Sequence, residues 1–276
     1  VKAGAHLPRK RFGQHFLVDE GVLNDIVDAI APRPGEHIVE VGPGLGALTR
    51  PLLERIPSLT AIELDRDVVA RLRDRFPPER LVLHEADALE FDFATLGPGI
   101  RLVGNLPYNI STPLLFRFAE LAGQLLDGHF MLQKEVVDRM VAVPGSSDYG
   151  RLSVLLQWHF HMESLFGVPP EAFDPPPKVQ SAVIRMIPRD PGERPQVDEA
   201  ALRRVLGTAF AQRRKMLRST LKPLFSAEAL QALDVAPTAR AEELSLADFV
   251  RLARALPGSA AGTAVANRDG APELDT

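Results

Sequence analysis

His37-Ile-Val-Glu-Val-Gly-Pro-Gly-Leu-Gly46 is the stretch whose reading decides the fold. Its first five residues form a short, largely apolar run of the kind that fills a strand buried on both faces, and they lead directly into a turn with three glycines. A helical pattern follows through about Arg55. Strand, glycine-rich turn and helix make the opening of a βαβ unit, so a parallel sheet is expected around it.

Outward from this point the pattern repeats. Leu59 to Leu64 reads as a second strand. Asp65 can cap a helix in which Val68, Val69, Leu72 and Phe76 recur at three- and four-residue spacing until Pro77 stops it. Leu81–His84, Ile100–Val103 and His129–Leu132 supply three further strands, with helices between. Residues 150–158 read as a helix and 160–168 and 180–187 as extended. Strands that late in the chain, joined without a long helix, imply an antiparallel end to an otherwise parallel sheet. Pro188, Pro191, Gly192 and Pro195 suggest a linker. Beyond it 198–211, 214–222, 226–233 and 245–255 all read as helices. The expected organisation is thus a basic N-terminal arm over 1–18, an α/β domain over 19–188, a linker over 189–196, a small all-α C-terminal domain over 197–256, and a disordered tail over 257–276, which is rich in Ala, Gly, Pro and Asp.

The 276 residues are 45% hydrophobic and 25% charged, with a mean hydropathy of −0.02; this excludes a wholly disordered or fibrous chain. There is no cysteine, which removes disulfides, thiolate nucleophiles and Cys-ligated zinc; no metal is expected. No apolar run approaches the roughly 18 residues of a membrane span, and no apolar leader opens the chain, so a cytoplasmic protein is expected. The net charge of −4 conceals two islands. Lys2, Arg9, Lys10 and Arg11 lie in 1–18 without an acid. Arg203, Arg204, Arg213, Arg214, Lys215, Arg218 and Lys222 lie in 200–227, again without one. The remaining 21 basic residues face 36 acids, a balance of −15. Basic islands on an acidic body fit either a polyanion-binding surface or solvated faces, and charge alone does not choose.

Glycines between strand and helix let the backbone approach a nucleotide closely. Ala47 at the sixth position keeps a dinucleotide fingerprint open, while the lack of Gly-Lys-Ser/Thr excludes a Walker-type loop. Glu63 ends the second strand 17 residues after Gly46, where a carboxylate can accept both ribose hydroxyls. Asp87 follows the third strand and can accept from an adenine amino group. Together with Glu40, these fit an adenosine carrying a cationic tail better than a pyrophosphate, although for Glu40 a role in holding the loop is as good.

The fourth strand runs into Gly104-Asn-Leu-Pro-Tyr-Asn-Ile-Ser-Thr112. In a doubly wound sheet this turn faces the ligand crevice. An amine conjugated to adenine is a poor nucleophile because its lone pair is delocalised. The Asn105 side-chain carbonyl and the Leu106 backbone carbonyl could accept its two N–H groups and favour a pyramidal nitrogen aimed at a methyl donor. Pro107 stiffens the turn and Tyr108 offers a face for the base.

Six ordered motifs then carry a resemblance over about residues 9–256: Gly13-Gln-His-Phe-Leu17, Glu40-Val-Gly-Pro-Gly-Leu-Gly46, Ile62-Glu-Leu-Asp65, Asn105-Leu-Pro-Tyr-Asn-Ile-Ser111, Met131-Leu-Gln-Lys-Glu135 and Phe173-Asp-Pro-Pro-Pro-Lys-Val179. The chain resembles the bacterial ribosomal RNA small-subunit adenine dimethyltransferases. The resemblance implies a class I S-adenosylmethionine-dependent methyltransferase fold, Rossmann-like and mostly parallel with an antiparallel last strand. It implies transfer of four methyl groups to two adjacent adenosines in a hairpin near the 3′ end of 16S rRNA, within the immature 30S subunit. By position, His15, Leu17, Gly42, Glu63, Asp87 and Asn105 would line the S-adenosylmethionine site; Asn105, Leu106 and Tyr108 would form the reaction centre. Phe173 would stack on the adenine opposite Tyr108, a contact of roughly 1–3 kcal/mol. His15 departs from the Asn often found there and could add a pH dependence to cofactor binding. Ala211 to Arg218 resembles the family's basic RNA-binding helix, so Arg9, Lys10, Arg11, Arg213, Arg214, Lys215 and Arg218 are the expected RNA contacts, although Phe210, Met216, Leu217 and Leu221 must also pack a core. A monomer without membrane association suits a protein that docks on a ribosomal subunit. The rival readings are a 23S rRNA adenine N6-methyltransferase of the macrolide-resistance type and a chiefly non-catalytic small-subunit assembly factor. A nicotinamide oxidoreductase is remote, since it gives no account of Asn105 to Tyr108 or of Phe173.

Overall fold

The computed structural model describes residues 15–257. They form two compact units: 15–141 with 159–189, and 142–158 with 190–257. The first is an α/β unit with elements β1 (Phe16–Leu17), α1 (Glu20–Ile30), β2 (His37–Val41), α2 (Thr49–Arg55), β3 (Leu59–Glu63), α3 (Arg66–Arg75), β4 (Leu81–Glu85), β5 (Ile100–Asn105), α4 (Ser111–Glu120), β6 (Leu125–Gln133) and α5 (Lys134–Val141). After α6 (Arg151–His159) the chain adds β7 (Phe160–Val168), β8 (Phe173–Asp174) and β9 (Ser181–Pro188).

Local chemistry explains the starts and stops. Asp19 caps α1 by accepting from the N–H groups of Gly21 and Val22, and the helix buries Leu23, Ile26, Val27 and Ile30 along one stripe. Asp65 caps α3 in the same way through Asp67 N–H, and the helix ends at Phe76, directly before Pro77.

Seven strands form one sheet in the order β4-β3-β2-β5-β6-β9-β7. The first five are parallel; β9 runs antiparallel to both β6 and β7, as the late extended segments implied. Strand order reverses between β2 and β5, so the crevice at their carboxyl ends is where a doubly wound sheet takes a ligand. Gly104 is there because β2 and β5 approach closely: a Cβ on it would lie 2.5 Å from the carbonyl oxygen of Val41.

Two features depart from the sequence reading within this unit. β6 begins at Leu125 rather than near His129, because Asp127 and Gly128, which break the apolar pattern, belong to the strand. The second is the pairing of β1 with β8, Phe16 opposite Asp174 and Leu17 opposite Phe173, which ties the residues before α1 to the proline-rich segment.

The second unit contains α7 (Glu199–Ala209), α8 (Leu217–Thr220), α9 (Ala227–Ala232) and α10 (Leu246–Arg254). Residues 142–158, which the sequence reading places in the α/β domain, group with this unit instead. The reason is packing: Tyr149 is buried against Phe210, Gly145 N–H donates to Glu242 O at 2.7 Å, and Trp158 Nε1 donates to Pro195 O at 3.0 Å.

The expected helix over 214–222 is also corrected. Residues 210–212 make a 3-10 turn, Met216 is extended and bridges Arg240, and α8 starts at Leu217. Arg213 is drawn onto Glu242 at 3.0 Å and onto the carbonyl of Ser147, which breaks the helical path. Arg9, Lys10 and Arg11, with most of the arm, and all of the tail beyond residue 257 lie outside the described residues.

Candidate active site

A cleft of about 280 Å³ opens at the carboxyl ends of β2, β3 and β5, within the α/β unit. Its acidic lining residues are Glu40, Glu63, Asp65 and Asp87, with His15 beside them; no Lys or Arg is among its described lining. Such a surface repels a pyrophosphate and favours hydroxyls, amines and cations.

Each carboxylate is placed by a strand end. Glu63 closes β3, buried, and accepts from Asp65 N–H at 2.9 Å and Gly44 N–H at 3.3 Å. Burial raises its pKa, against the pull of these N–H groups. Asp87 accepts from Leu89 N–H at 2.9 Å through one oxygen. Asp65 caps α3 through Oδ1, while its Oδ2 is buried with no hydrogen-bond partner. A buried carboxylate oxygen facing no donor is a place where a ligand can supply one. Gly42 has φ of +69° at the first bend of the loop, a conformation glycine adopts without strain, and lies against Pro107.

Glu40 is 2% exposed and accepts from Thr49 Oγ1 at 2.6 Å, so it holds the loop to the first turn of α2. Burial lifts its pKa to about 7, with Thr49 pulling down and the Glu63 charge pushing up. Folding therefore takes up a proton between the ordinary value of 4.5 and about 7, and this group makes stability fall as pH rises through that window. Glu40→Gln keeps an acceptor for Thr49 without a charge. Denaturant unfolding is expected to find it equal to the parent near pH 3.5 and more stable by about 3 kcal/mol at pH 8; the same difference at both pH values would contradict the assignment.

The reaction turn follows β5. Leu106 N–H donates to Met131 O at 3.1 Å, and Ile110 N–H donates to Pro107 O at 3.1 Å. Asn105 Nδ2 approaches His15 O at 3.5 Å, leaving Oδ1 as its remaining hydrogen-bonding atom. Tyr108 Oη lies 2.7 Å from Ser181 Oγ, and the His15 ring is stacked near the Tyr108 ring, 5.9 Å between centroids at 28°. His15 Nδ1 is 2.7 Å from Pro175 O.

His15, Leu17, Gly42, Glu63, Asp87, Asn105, Leu106 and Tyr108 thus all line one cleft. Phe173 does not. It is 3% exposed and sits in the apolar core with Leu17, its partner across β1 and β8. Its burial there keeps it out of the cleft lining. Sequence reasoning passed over Asp65 and Ser181; the position of Asp65 beside Glu63 was a signal for the first, and nothing local pointed to the second. In the helical unit Arg214, Lys215 and Arg218 are exposed and make no ion pair among the described residues, whereas Arg213 is already paired with Glu242.

The family described as ribosomal RNA adenine dimethylase matches residues 5–257. Ribosomal RNA small subunit methyltransferase A of Thiobacillus denitrificans is 63% identical over 88% of this chain and 96% of its own, and its namesake in Dechloromonas aromatica is 56% identical over 91% and 98%. Among solved structures, a dimethyladenosine transferase from Plasmodium falciparum superposes with a TM-score of 0.75 at 25% identity, over 86% of this chain and 96% of that one. The 23S rRNA methyltransferase ErmE superposes with a TM-score of 0.66 at 25% identity, over 87% and 99%. The much higher identity to the small-subunit enzymes disfavours the 23S reading. With the cleft, the turn at Asn105 and a match over nearly the whole length, the chain belongs to the ribosomal RNA adenine dimethylase family.

Proposed function

We propose that the protein transfers methyl groups from S-adenosylmethionine to N6 of two adjacent adenosines in a hairpin near the 3′ end of 16S rRNA, acting as a monomer in the cytoplasm on the immature 30S subunit. The observation that carries this is a cleft lined by four carboxylates and no described Lys or Arg, with an Asn-Leu-Pro-Tyr turn at its edge. No described helix is long and apolar enough to cross a membrane.

The residues fit S-adenosylmethionine: Glu63 is placed for ribose hydroxyls, Asp87 for the adenine amine, and the backbone around Gly42 for close approach of the chain. When bound, that group supplies an electrophilic methyl on a cationic sulfur, whose charge the acidic lining complements. The protein's own part is orientation. Asn105 Oδ1 and Leu106 O accept the two N–H groups of the target amine, Tyr108 presents a flat face to the base, and Pro107 stiffens the turn between them. No general base is required, since the nitrogen loses its proton after transfer. A stacking role for Phe173 requires its ring to be uncovered first.

Incubation with labelled methyl donor and immature 30S particles is expected to label adenine N6; label on guanine or on protein alone would refute the proposal. RNA contact is assigned to the N-terminal basic stretch and to Arg214, Lys215 and Arg218. Replacing these last three by Gln is expected to flatten the salt dependence of RNA affinity by about one unit of slope per lost phosphate contact while donor affinity stays level. An unchanged slope would remove this face from the RNA interface.

A further inference from the structure

We propose that Ser181 is a positioning residue for the reaction, holding the Tyr108 ring in place through a hydroxyl-to-hydroxyl bond; this rests on the reading of Tyr108 as the face for the target base. Because β9 runs against its neighbours, its first residue lies at the edge where β6 and β7 end, and Ser181 is opposite Gln133 and Val168 there. The strand therefore delivers a side chain to the ligand edge by starting at it. Ser181 is 0% exposed at the head of an apolar run, and its Oγ is 2.7 Å from Tyr108 Oη, 73 positions away in sequence.

The rest of the turn is held by its backbone. Leu106 and Ile110 are held through their N–H groups, and Ser111 Oγ donates to Tyr108 O at 3.2 Å. None of these bonds restrains the Tyr108 ring, whose second side-chain torsion is soft. Ser181 restrains it at the tip and the stacked His15 on one face. A buried serine hydroxyl without a partner is costly, so a hydroxyl at this position has a use only while Tyr108 answers it. Burial raises the Tyr108 pKa despite the Ser181 bond, so the phenol stays neutral at ordinary pH and either hydroxyl can donate to the other. The bond also links the reaction turn to the segment that begins at Phe173, since Ser181 ends that segment.

The test is a double-mutant cycle read by single-turnover methyl transfer at saturating RNA and donor, alongside RNA affinity and thermal melting. Ser181→Ala and Tyr108→Phe are each expected to slow transfer about ten-fold with RNA affinity held within about two-fold, and the double variant to be no slower than the slower single. A Ser181→Ala rate within about two-fold of the parent, or a double variant slowed by the product of the singles, overturns the proposal. Should Ser181→Ala fail to fold, Tyr108→Phe probes the same bond with the ring retained, and an unchanged rate there is equally fatal. Tyr108→Ala separates the two levels of the argument. If it transfers at the parental rate, the role of Tyr108 falls and that of Ser181 with it. If it is slow while Ser181→Ala is normal, only the role of Ser181 falls.

Discussion

Asn105→Ala is expected to lower single-turnover methyl transfer on the order of 10²–10³-fold, the loss typical of removing one placed hydrogen-bond partner from a reacting group, while RNA affinity barely changes. The size follows from what the side chain is asked to do. The adenine amine gains nucleophilicity only as its lone pair leaves conjugation with the ring, and acceptors placed for the pyramidal geometry favour that state over the flat one. The interaction strengthens on the way to the transition state, so its loss belongs in the rate rather than in RNA binding. The remaining acceptor, Leu106 O, belongs to the backbone and survives the substitution, which is why the loss is not total. Asn105→Asp is a useful companion. It keeps an acceptor but loses the donor that faces His15 O at 3.5 Å, so it should fall between parent and Ala. A turnover within about two-fold of the parent for Asn105→Ala corresponds to less than about 0.5 kcal/mol of barrier and would remove Asn105 from the reaction centre.

Which parts of this site could be read without a structure depends on how local their signals are. The loop from Gly42 to Gly46, the carboxylate at Glu63 and the turn at Asn105 each sit where a strand stops, and a strand's stop is written in adjacent residues. The pairing of β1 with β8 joins residues 16–17 to 173–174; two-residue strands carry no periodicity, and the partner lies more than 150 positions away. Phe173 belongs to that pairing and is buried in the apolar core, a placement that no adjacent residue announces. The bond between Tyr108 and Ser181 is long-range too, as is the grouping of 142–158 with the helical unit through Tyr149 and Trp158. The basic run after Phe210 misled differently: its composition favours a helix, but Arg213 is pulled toward Glu242 and the turn opens. Tertiary contacts there outweigh propensity.

Arg101→Met is expected to destabilise the α/β unit by about 3–5 kcal/mol, the usual cost of removing one partner from a buried ion cluster. Arg101, at the start of β5, is 7% exposed, with its guanidinium donating to Asp127 at 2.9 and 2.8 Å, to Glu36 at 2.5 Å and to Ile30 O at 2.6 Å. Methionine fills the volume of the stem, so the loss isolates the charge: two carboxylates and a carbonyl are left with no cation between them. The pH dependence gives a second reading. Burial pushes Glu36 up, but the Arg33 N–H and Arg101 outweigh it, so its carboxyl sits below the ordinary 4.5. A depressed carboxyl contributes stability above its unfolded pKa and loses it as pH falls through the folded one. The gap between parent and variant should therefore be widest near neutrality and narrow as pH falls below the ordinary 4.5 and Glu36 takes up its proton. Denaturant unfolding at pH 7 and pH 3 measures this; a gap that stays constant would mean the loss comes from packing alone. Asn105 stands four residues further along the same strand, at the opposite end of it from the cluster. Below its lowered melting point the variant should thus transfer methyl groups at close to the parental rate, because the cluster secures where β5 begins while the bonds around Leu106 and Tyr108 secure where it ends.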